Sequence, residues 1–269
     1  MNPVSQIPFL ISIPHGGTQI PVEIQDRVII TPKDLFDDSD SFTNEIYDVG
    51  ERVRKVIKTN IARAFVDLSR SFHQMPPEFP DGLIKSCTCF QKPIYQPHRE
   101  PDAPLQKMLI QYYYKPYHHE IRNAVNSGKF ILGLDCHSML PIGPPISPDA
   151  GKSRPLINLG NLEGKSCSHE WLKLLADCFQ EVFKMNEDEI SMNFPFKGGF
   201  ITQKYGQNPI PWIQIEMNRS LYLTSPWFDA ESLKIEFSRL ENLNRLFDET
   251  IKNFYSRIKQ SVIDKKIGF

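Results

Sequence analysis

The sequence of 269 residues lacks any run of about 18 consecutive apolar residues, the length that a transmembrane helix requires. Its first five residues also lack a basic segment followed by an apolar one, so we expect neither a membrane span nor a signal peptide. The cysteines are few, odd in number and irregularly spaced: Cys87, Cys89, Cys136, Cys167 and Cys178. This pattern argues against a disulfide framework and against a zinc-finger array. We therefore expect a reduced, cytoplasmic protein.

The sequence has almost no net charge, because 31 Lys and Arg stand against 32 Asp and Glu. Such a balance provides no overall field that would attract nucleic acid or an anionic membrane, and we expect neither partner. Two sequence motifs are also missing. Without a Gly-Lys-Ser/Thr phosphate loop and without a Gly-x-Ser-x-Gly nucleophile turn, phosphate-cradle chemistry and a serine nucleophile of that type are disfavoured.

Proline is the one residue in excess, at 22 of 269 residues, about 8% where roughly 5% is usual. Short apolar runs alternate with amphipathic stretches around two proline-rich loops, which predicts an α/β fold. No linker divides the chain, so we expect a single domain over residues 1–269. The pattern predicts strands over 9–13, 64–66, 130–135 and 212–216, and helices over about 41–57, 105–125 with a kink at Pro116, 171–185 and 233–262.

Polar residues stand at the end of each predicted strand. In an open α/β sheet, the ligand crevice lies outside the carboxyl ends of the strands. The groups found there are Pro14-His15-Gly16-Gly17, Asp67-Leu68-Ser69-Arg70, Asp135-Cys136-His137-Ser138 and Glu216-Met217-Asn218-Arg219. Each group alone is an ordinary turn or cap, but together they indicate a site.

Two histidines and one carboxylate suffice for a catalytic zinc site, which keeps its fourth position open. We predict that His15, Asp40 and His137 form this set and bind Zn²⁺ or another divalent transition metal. The carboxylate stays open among Asp37, Asp38 and Asp40, since any of them can instead cap the helix that follows.

Two further carboxylates have predicted roles beside the metal. Glu216 is placed to act as general base toward the attacking water, although it could equally pair with a nearby arginine inside the protein. Asp135, two residues before His137, is placed to orient that ring, or to cap the end of its strand.

The sequence resembles the N-formylglutamate amidohydrolases, also called N-formylglutamate deformylases. The matching segments occur in the family's order: residues 12–17, 38–40, 66–70, 135–138, 196–202 and 214–222. The resemblance implies a three-layer α/β/α sandwich on a mixed sheet, related to the zinc carboxypeptidases. It also implies hydrolysis of N-formyl-L-glutamate to formate and L-glutamate, late in histidine breakdown.

The resemblance implies that the family's metal-binding positions correspond to His15, Asp40 and His137, and that its catalytic carboxylate corresponds to Glu216. It also places substrate binding near Ser69 and Arg70, where the family usually reads Asp-Leu-Asn-Arg and this chain has serine in place of asparagine. A guanidinium suits such a substrate because it can bind a carboxylate with two parallel hydrogen bonds. Arg219 is the second candidate for that contact, with a surface salt bridge as its alternative.

Two other functions stay open at this point. The chain could hydrolyse another N-acyl amino acid or a short peptide, because the change at Ser69 affects substrate identity more than reaction type. It could also be a catalytically silent protein that binds an acidic metabolite. Retention of both histidines and Glu216 favours an enzyme, since a binding cleft needs neither a metal nor a base.

Overall fold

The computed structural model describes the backbone of residues 6–267 and the side chains of residues 6–261. Residues 1–5, on which the signal-peptide prediction rests, and the side chain of Val262 lie outside these ranges. The strands are β1 (Ile7–Ile13), β2 (Val53–Lys58), β3 (Leu132–Met139), β4 (Ile157–Gly160), β5 (Ile190–Met192), β6 (Trp212–Asn218), β7 (Phe228–Asp229) and β8 (Lys234–Ile235). The α-helices are α1 (Pro32–Asp38), α2 (Thr43–Tyr47), α3 (Ala103–Leu109), α4 (Lys115–Asn126), α5 (His169–Phe183), α6 (Phe200–Tyr205) and α7 (Phe237–Ile267).

Six strands form one sheet in the order β2-β1-β3-β6-β4-β5. Strands β2, β1, β3 and β6 run parallel to one another, whereas β4 pairs antiparallel to β6. The predicted mixed sheet is therefore confirmed. Because β1, β3 and β6 are neighbours, their carboxyl ends lie side by side at one edge, which is where ligand crevices form.

Helices cover both faces of this sheet. Successive side chains of a strand point to opposite sides, so the apolar residues of β1 pack against both helical layers. Ile7, Phe9 and Ile11 of β1 pack in one hydrophobic core with α2, α5 and α7. Leu10 packs in a second core with α3, α4 and α6. This arrangement confirms the three-layer α/β/α sandwich.

Side-chain caps and an amphipathic stripe define the main helices. Ser168 accepts a hydrogen bond from Trp171 N at the start of α5, and Asp102 accepts one from Leu105 N at the start of α3. The apolar stripe of α7 is buried as predicted, at Leu240, Leu243, Phe247, Ile251, Phe254 and Ile258. The helix begins at Phe237 rather than at Leu233. None of the helices described here is long and apolar enough to cross a bilayer.

The predicted helix over 41–57 is wrong beyond Tyr47. Asp48 takes an extended backbone conformation with a ψ of 97°, which ends the helix. After Gly50, which has a positive φ of 54°, Val53–Lys58 pairs with β1 as an edge strand. Its buried residues Val53 and Ile57 are four apart, a spacing that suits both a helix and alternate positions of a strand.

The predicted strand over 64–66 is also wrong, since these residues form a buried turn. Burial without regular pairing gives the same apolar run as a strand, so the sequence pattern does not distinguish them. The helix over 105–125 is interrupted by a π-helical segment at Ile110–Tyr114, directly before Pro116. The short strands β4 and β5 carry no sequence signal strong enough to have been predicted.

Candidate active site

Three neighbouring strands and two loops bring the candidate residues together. His15 follows β1, while His137 and Glu216 lie inside β3 and β6, not after them as the sequence suggested. Asp40 lies in the short loop between α1 and α2. Asp67 begins the segment Asp67–Arg70, which follows the buried turn rather than a strand.

The predicted metal-binding set converges on one point. His137 Nδ1 lies 3.1 Å from His15 Nδ1 and 3.2 Å from Asp40 Oδ2, and His15 Nδ1 lies 3.3 Å from the same oxygen. All three residues are buried. Three donor atoms this close together can all contact one metal ion.

Each histidine is oriented by a second carboxylate. His15 Nε2 lies 2.8 Å from Asp67 Oδ1, and His137 Nε2 lies 3.1 Å from Asp135 Oδ1. Because a carboxylate only accepts, each Nε2 donates, and each Nδ1 is left to coordinate a metal. Thr202 Oγ1 donates to Asp135 Oδ2 over 3.0 Å and fixes that carboxylate in turn.

Close backbone approach explains the glycines after His15. A Cβ atom on Gly17 would lie 2.4 Å from the backbone carbon of Asn60, and one on Gly16 would lie 2.6 Å from the Asn44 side chain. Any larger residue here would push the chain away from its neighbours. Gly16 therefore lets the segment carrying His15 pack tightly against Asn44, and Gly17 lets it pack against residues 60–61.

These residues fit a zinc ion in geometry and in charge. Tetrahedral zinc with ligands at about 2.0–2.1 Å places those ligands about 3.3 Å apart, close to the three distances of 3.1, 3.2 and 3.3 Å. Burial by itself lowers the pKa of His137, but Asp135 and Asp40 outweigh it and raise that pKa well above its usual value. The surroundings thus favour positive charge.

Only one of the three neighbouring aspartates points into this cluster. Asp37 is paired with Lys33 at the surface, over 2.7 Å. Asp38 accepts hydrogen bonds from the buried Lys85, at 3.1 Å, and from the Cys89 backbone, at 2.7 Å. Asp40 is left as the carboxylate beside both histidines.

Asp40 is held ionised and fixed in place. Burial opposes its charge, but the neighbouring imidazoles of His137 and His15 and the guanidinium of Arg63 outweigh this and keep its pKa well below the usual value. The Ser138 backbone donates to Oδ2, and Arg219 Nη2 donates to Oδ1, each over 3.2 Å. Because Arg219 also contacts Ser138 Oγ and the Asp37 carbonyl, its geometry favours orienting Asp40 over binding a substrate.

Glu216 lies beside the metal-binding cluster. It is buried in β6, in register with His137 on the adjacent strand. Burial raises its pKa to about 7, and the charge of Asp40 adds to this. Gln214 Nε2 donates to Glu216 Oε1 over 2.6 Å. A carboxylate with a pKa near 7 is suited to both accepting and returning a proton at neutral pH.

The cluster opens into a cleft of about 470 Å³. Its lining includes Ser69 and Arg70, the predicted substrate-binding residues. The guanidinium of Arg70 is held by Asp81, through Nε to the backbone carbonyl at 3.0 Å and Nη2 to Oδ2 at 2.9 Å. The edge formed by Nη1 and Nη2 is therefore the one available for a ligand carboxylate.

The comparison with protein families gives a match over most of the chain. The model of the N-formylglutamate amidohydrolase family matches residues 7–223. The chain belongs to this family. Two N-formylglutamate deformylases are each 26% identical to it: that of Pseudomonas putida over 85% of this chain and 87% of its own length, and that of Pseudomonas aeruginosa over 81% and 83%.

Solved structures agree on the fold. An N-formylglutamate amidohydrolase from Ralstonia eutropha aligns with a TM-score of 0.73 at 21% identity, covering 97% of this chain and 95% of its own. A protein from Agrobacterium tumefaciens aligns with a TM-score of 0.57 at 14% identity, covering 93% and 91%. At these identities the likeness concerns the fold.

Three residues of this family member have roles that were not predicted from the sequence. Asp67 orients His15, although only the Asp135 pairing was predicted. Arg63 reaches Asp67 Oδ2 at 3.0 Å and lies 3.7 Å from Asp40 Oδ1, so it neutralises two buried carboxylates. Lys85 lies in the proline-rich loop, where nothing in the sequence indicates burial.

We expect Lys85→Met to destabilise the protein by about 3–5 kcal/mol, because it leaves the buried Asp38 without its cation. Lys85 also contacts Asp81 over 2.6 Å, and Asp81 holds Arg70, so substrate KM should rise as well. Denaturant unfolding and initial-rate kinetics measure the two effects. The matched control is Lys33→Met, which removes an exposed pair and should change stability by less than about 1 kcal/mol. Equal stability of the two variants would contradict the structural role of Lys85.

Proposed function

We propose that this protein hydrolyses the amide bond of N-formyl-L-glutamate, giving formate and L-glutamate, with a divalent metal bound by His15, Asp40 and His137. The observation that supports this most is the convergence of those three donor atoms beside Glu216, in a cleft that also contains Arg70. Family membership and the names of its relatives agree with the proposal.

The metal would supply the electrophile. When bound, zinc lowers the pKa of a coordinated water toward about 7 and polarises an amide carbonyl. The fit of the donor set to zinc is described above, and iron or cobalt would use the same ligands.

Glu216 performs the proton transfers in this proposal. The attacking water must lose a proton, and the amine that leaves must gain one. Glu216 accepts the first proton and returns it to the leaving nitrogen, which a pKa of about 7 permits in both directions. Gln214 holds one oxygen of Glu216, so the other oxygen is the one placed for the transfer.

Arg70 recognises a carboxylate of the substrate. Its guanidinium is half-buried at the cleft and is held in position by Asp81, so little freedom is lost on binding. Asp67 and Ser69, beside it in the chain, are linked by a hydrogen bond from Ser69 N to Asp67 Oδ1. Because Asp67 also orients His15, this hydrogen bond links the substrate-binding segment to a proposed metal ligand.

A panel of N-formyl and N-acetyl amino acids, assayed for formate or acetate release, tests the proposed substrate. We expect N-formyl-L-glutamate to have the highest kcat/KM, and Arg70→Lys to lower it by about 1.5–3 kcal/mol, ten- to a hundredfold, because lysine lacks the bidentate contact. N-formyl-L-leucine, which keeps the α-carboxylate and lacks the side-chain one, shows which carboxylate Arg70 binds. An Arg70→Lys enzyme with wild-type kinetics on every member would remove Arg70 from recognition.

A second substrate class has one specific observation in its favour. Ser69 stands where the family usually has asparagine, so the cleft lacks an amide donor next to Arg70. Preference for another N-acyl amino acid in the same panel would support this class. A silent binding protein is the third possibility, and release of formate from any member would exclude it. A role in histidine degradation and a cytoplasmic location stay predictions.

A further inference from the structure

A second concave surface lies outside the candidate active site. It is a groove of about 780 Å³ between the segment 71–73, the π-helical turn with α4, and α6. Its lining shares no residue with that of the cleft around His15 and Glu216. Its volume falls within the range of about 300–1,000 Å³ that is usual for small-molecule sites.

The charge of the groove is of one sign. Lys115, Arg122 and Lys204 line it together with the imidazoles of His73 and His119, and its lining contains no aspartate or glutamate. Within the described part of the chain, no carboxylate lies within ion-pair distance of Arg122 or Lys204. All three of these cations are at least partly exposed to solvent, so an anion that enters the groove can reach them.

Lys204 is fixed by aromatic rings instead of by a counter-ion. Its Nζ lies 5.1 Å from the ring centre of Phe200, 5.5 Å from that of Tyr205 and 5.9 Å from that of Tyr114. Contacts of this kind hold an ammonium group in place without neutralising it. Burial lowers the pKa of Lys204, and the positive charge of Arg122 lowers it further. An anion placed between the two side chains would relieve that repulsion.

The groove also offers a face for a planar group. Phe72 is 52% exposed at its rim, and its ring stands edge-on to that of His73 at 5.9 Å. An exposed aromatic ring beside unpaired cations suits a ligand with a flat ring at one end and an anion at the other.

We propose that this groove binds a small phosphate-bearing molecule with a planar ring, the chemistry of a nucleoside monophosphate. Arg122 and Lys204 contact the phosphate, Lys115 adds charge at the edge, and the base lies against Phe72. This site is independent of the proposed hydrolysis, since none of these residues contacts the metal-binding cluster or Glu216.

Titration calorimetry with AMP, inorganic phosphate and adenosine tests the proposal on the full-length protein. We expect AMP to bind more tightly than phosphate, and adenosine to bind most weakly, because charge supplies most of the affinity. The double variant Arg122→Gln, Lys204→Gln should weaken AMP binding at least about tenfold, as two charge-assisted contacts are lost. The matched control, Arg245→Gln with Lys252→Gln, removes the same charge from exposed positions of α7 and should bind AMP as the wild type does.

Three outcomes would overturn the site. AMP could fail to bind at millimolar concentration, it could bind the double variant as tightly as the wild type, or the control could lose as much affinity as the double variant. Phe72→Ala separates the ring from the charge: it should weaken AMP while leaving phosphate unchanged. If AMP and phosphate bind equally and Phe72→Ala has no effect, the planar part of the ligand is wrong.

Discussion

His137→Ala is expected to remove stoichiometric zinc from the protein and to abolish formate release. The three donor atoms form a triangle with sides of 3.1, 3.2 and 3.3 Å, and the loss of one nitrogen leaves two of these ligands, one fewer than a catalytic zinc site has. His15→Ala should behave in the same way. Metal content per folded chain after mild chelation measures this directly. The control is His169→Ala, an exposed histidine at the start of α5, which should retain full metal content.

The aspartates give a sharper test of the same site. Asp40→Asn should lose the metal, whereas Asp38→Asn should keep it and lose stability, since Asp38 pairs with Lys85. The reverse pattern would reassign the carboxylate ligand to Asp38. Retention of full metal by either histidine variant would show that the ligand set is wrong.

Glu216→Gln is expected to lower kcat by at least about 10²–10⁴-fold, the usual worth of general acid–base catalysis. Glutamine keeps the shape of the side chain and removes its basicity, so metal content and thermal stability should stay near wild type. Rapid formate assays on metal-loaded protein give kcat. Glu181→Gln, at an exposed position paired with Arg257, is the matched control and should have wild-type kinetics.

One result would falsify the assignment of the base. A Glu216→Gln protein that holds a full complement of metal and releases formate within a few-fold of the wild-type rate does not use Glu216 for proton transfer. Loss of metal in the same variant would point instead to Glu216 as a ligand or as a support for His137, with which it is in register.

The apolar runs of the buried strands allowed an α/β fold to be predicted, and the family resemblance implied the mixed-sheet sandwich. Polar residues near the ends of those runs pointed to His15, His137 and Glu216, which the structure brings together. The sequence did not allow a choice among Asp37, Asp38 and Asp40. That choice depends on Lys85, whose burial comes from packing between distant loops. Arg63 was missed for the same reason: a basic residue in a turn has no local feature that marks it as buried.

The errors in the fold have a common physical origin. At residues 53–57 the spacing of the buried residues suits both a helix and a strand, and at residues 64–66 the apolar residues are buried in a turn, so periodicity alone does not give the structure. A glycine at position 50 is a local sign in the sequence that the helix over 41–57 ends early, and the structure gives it a positive φ. The short strands β4 and β5 are held by pairing with β6 and with each other. Pairing between segments so distant in the sequence leaves no periodic pattern within either segment.

The parallel sheet also determines when the site can form as the chain folds. His15 and His137 are 122 positions apart, and Arg219 lies 179 positions from Asp40. Closing loops of this size costs entropy before any contact repays it, so sheets of this kind assemble slowly. The two imidazoles therefore meet only once β1 and β3 have paired, and recovery of metal affinity after dilution from denaturant should lag behind the recovery of helical signal.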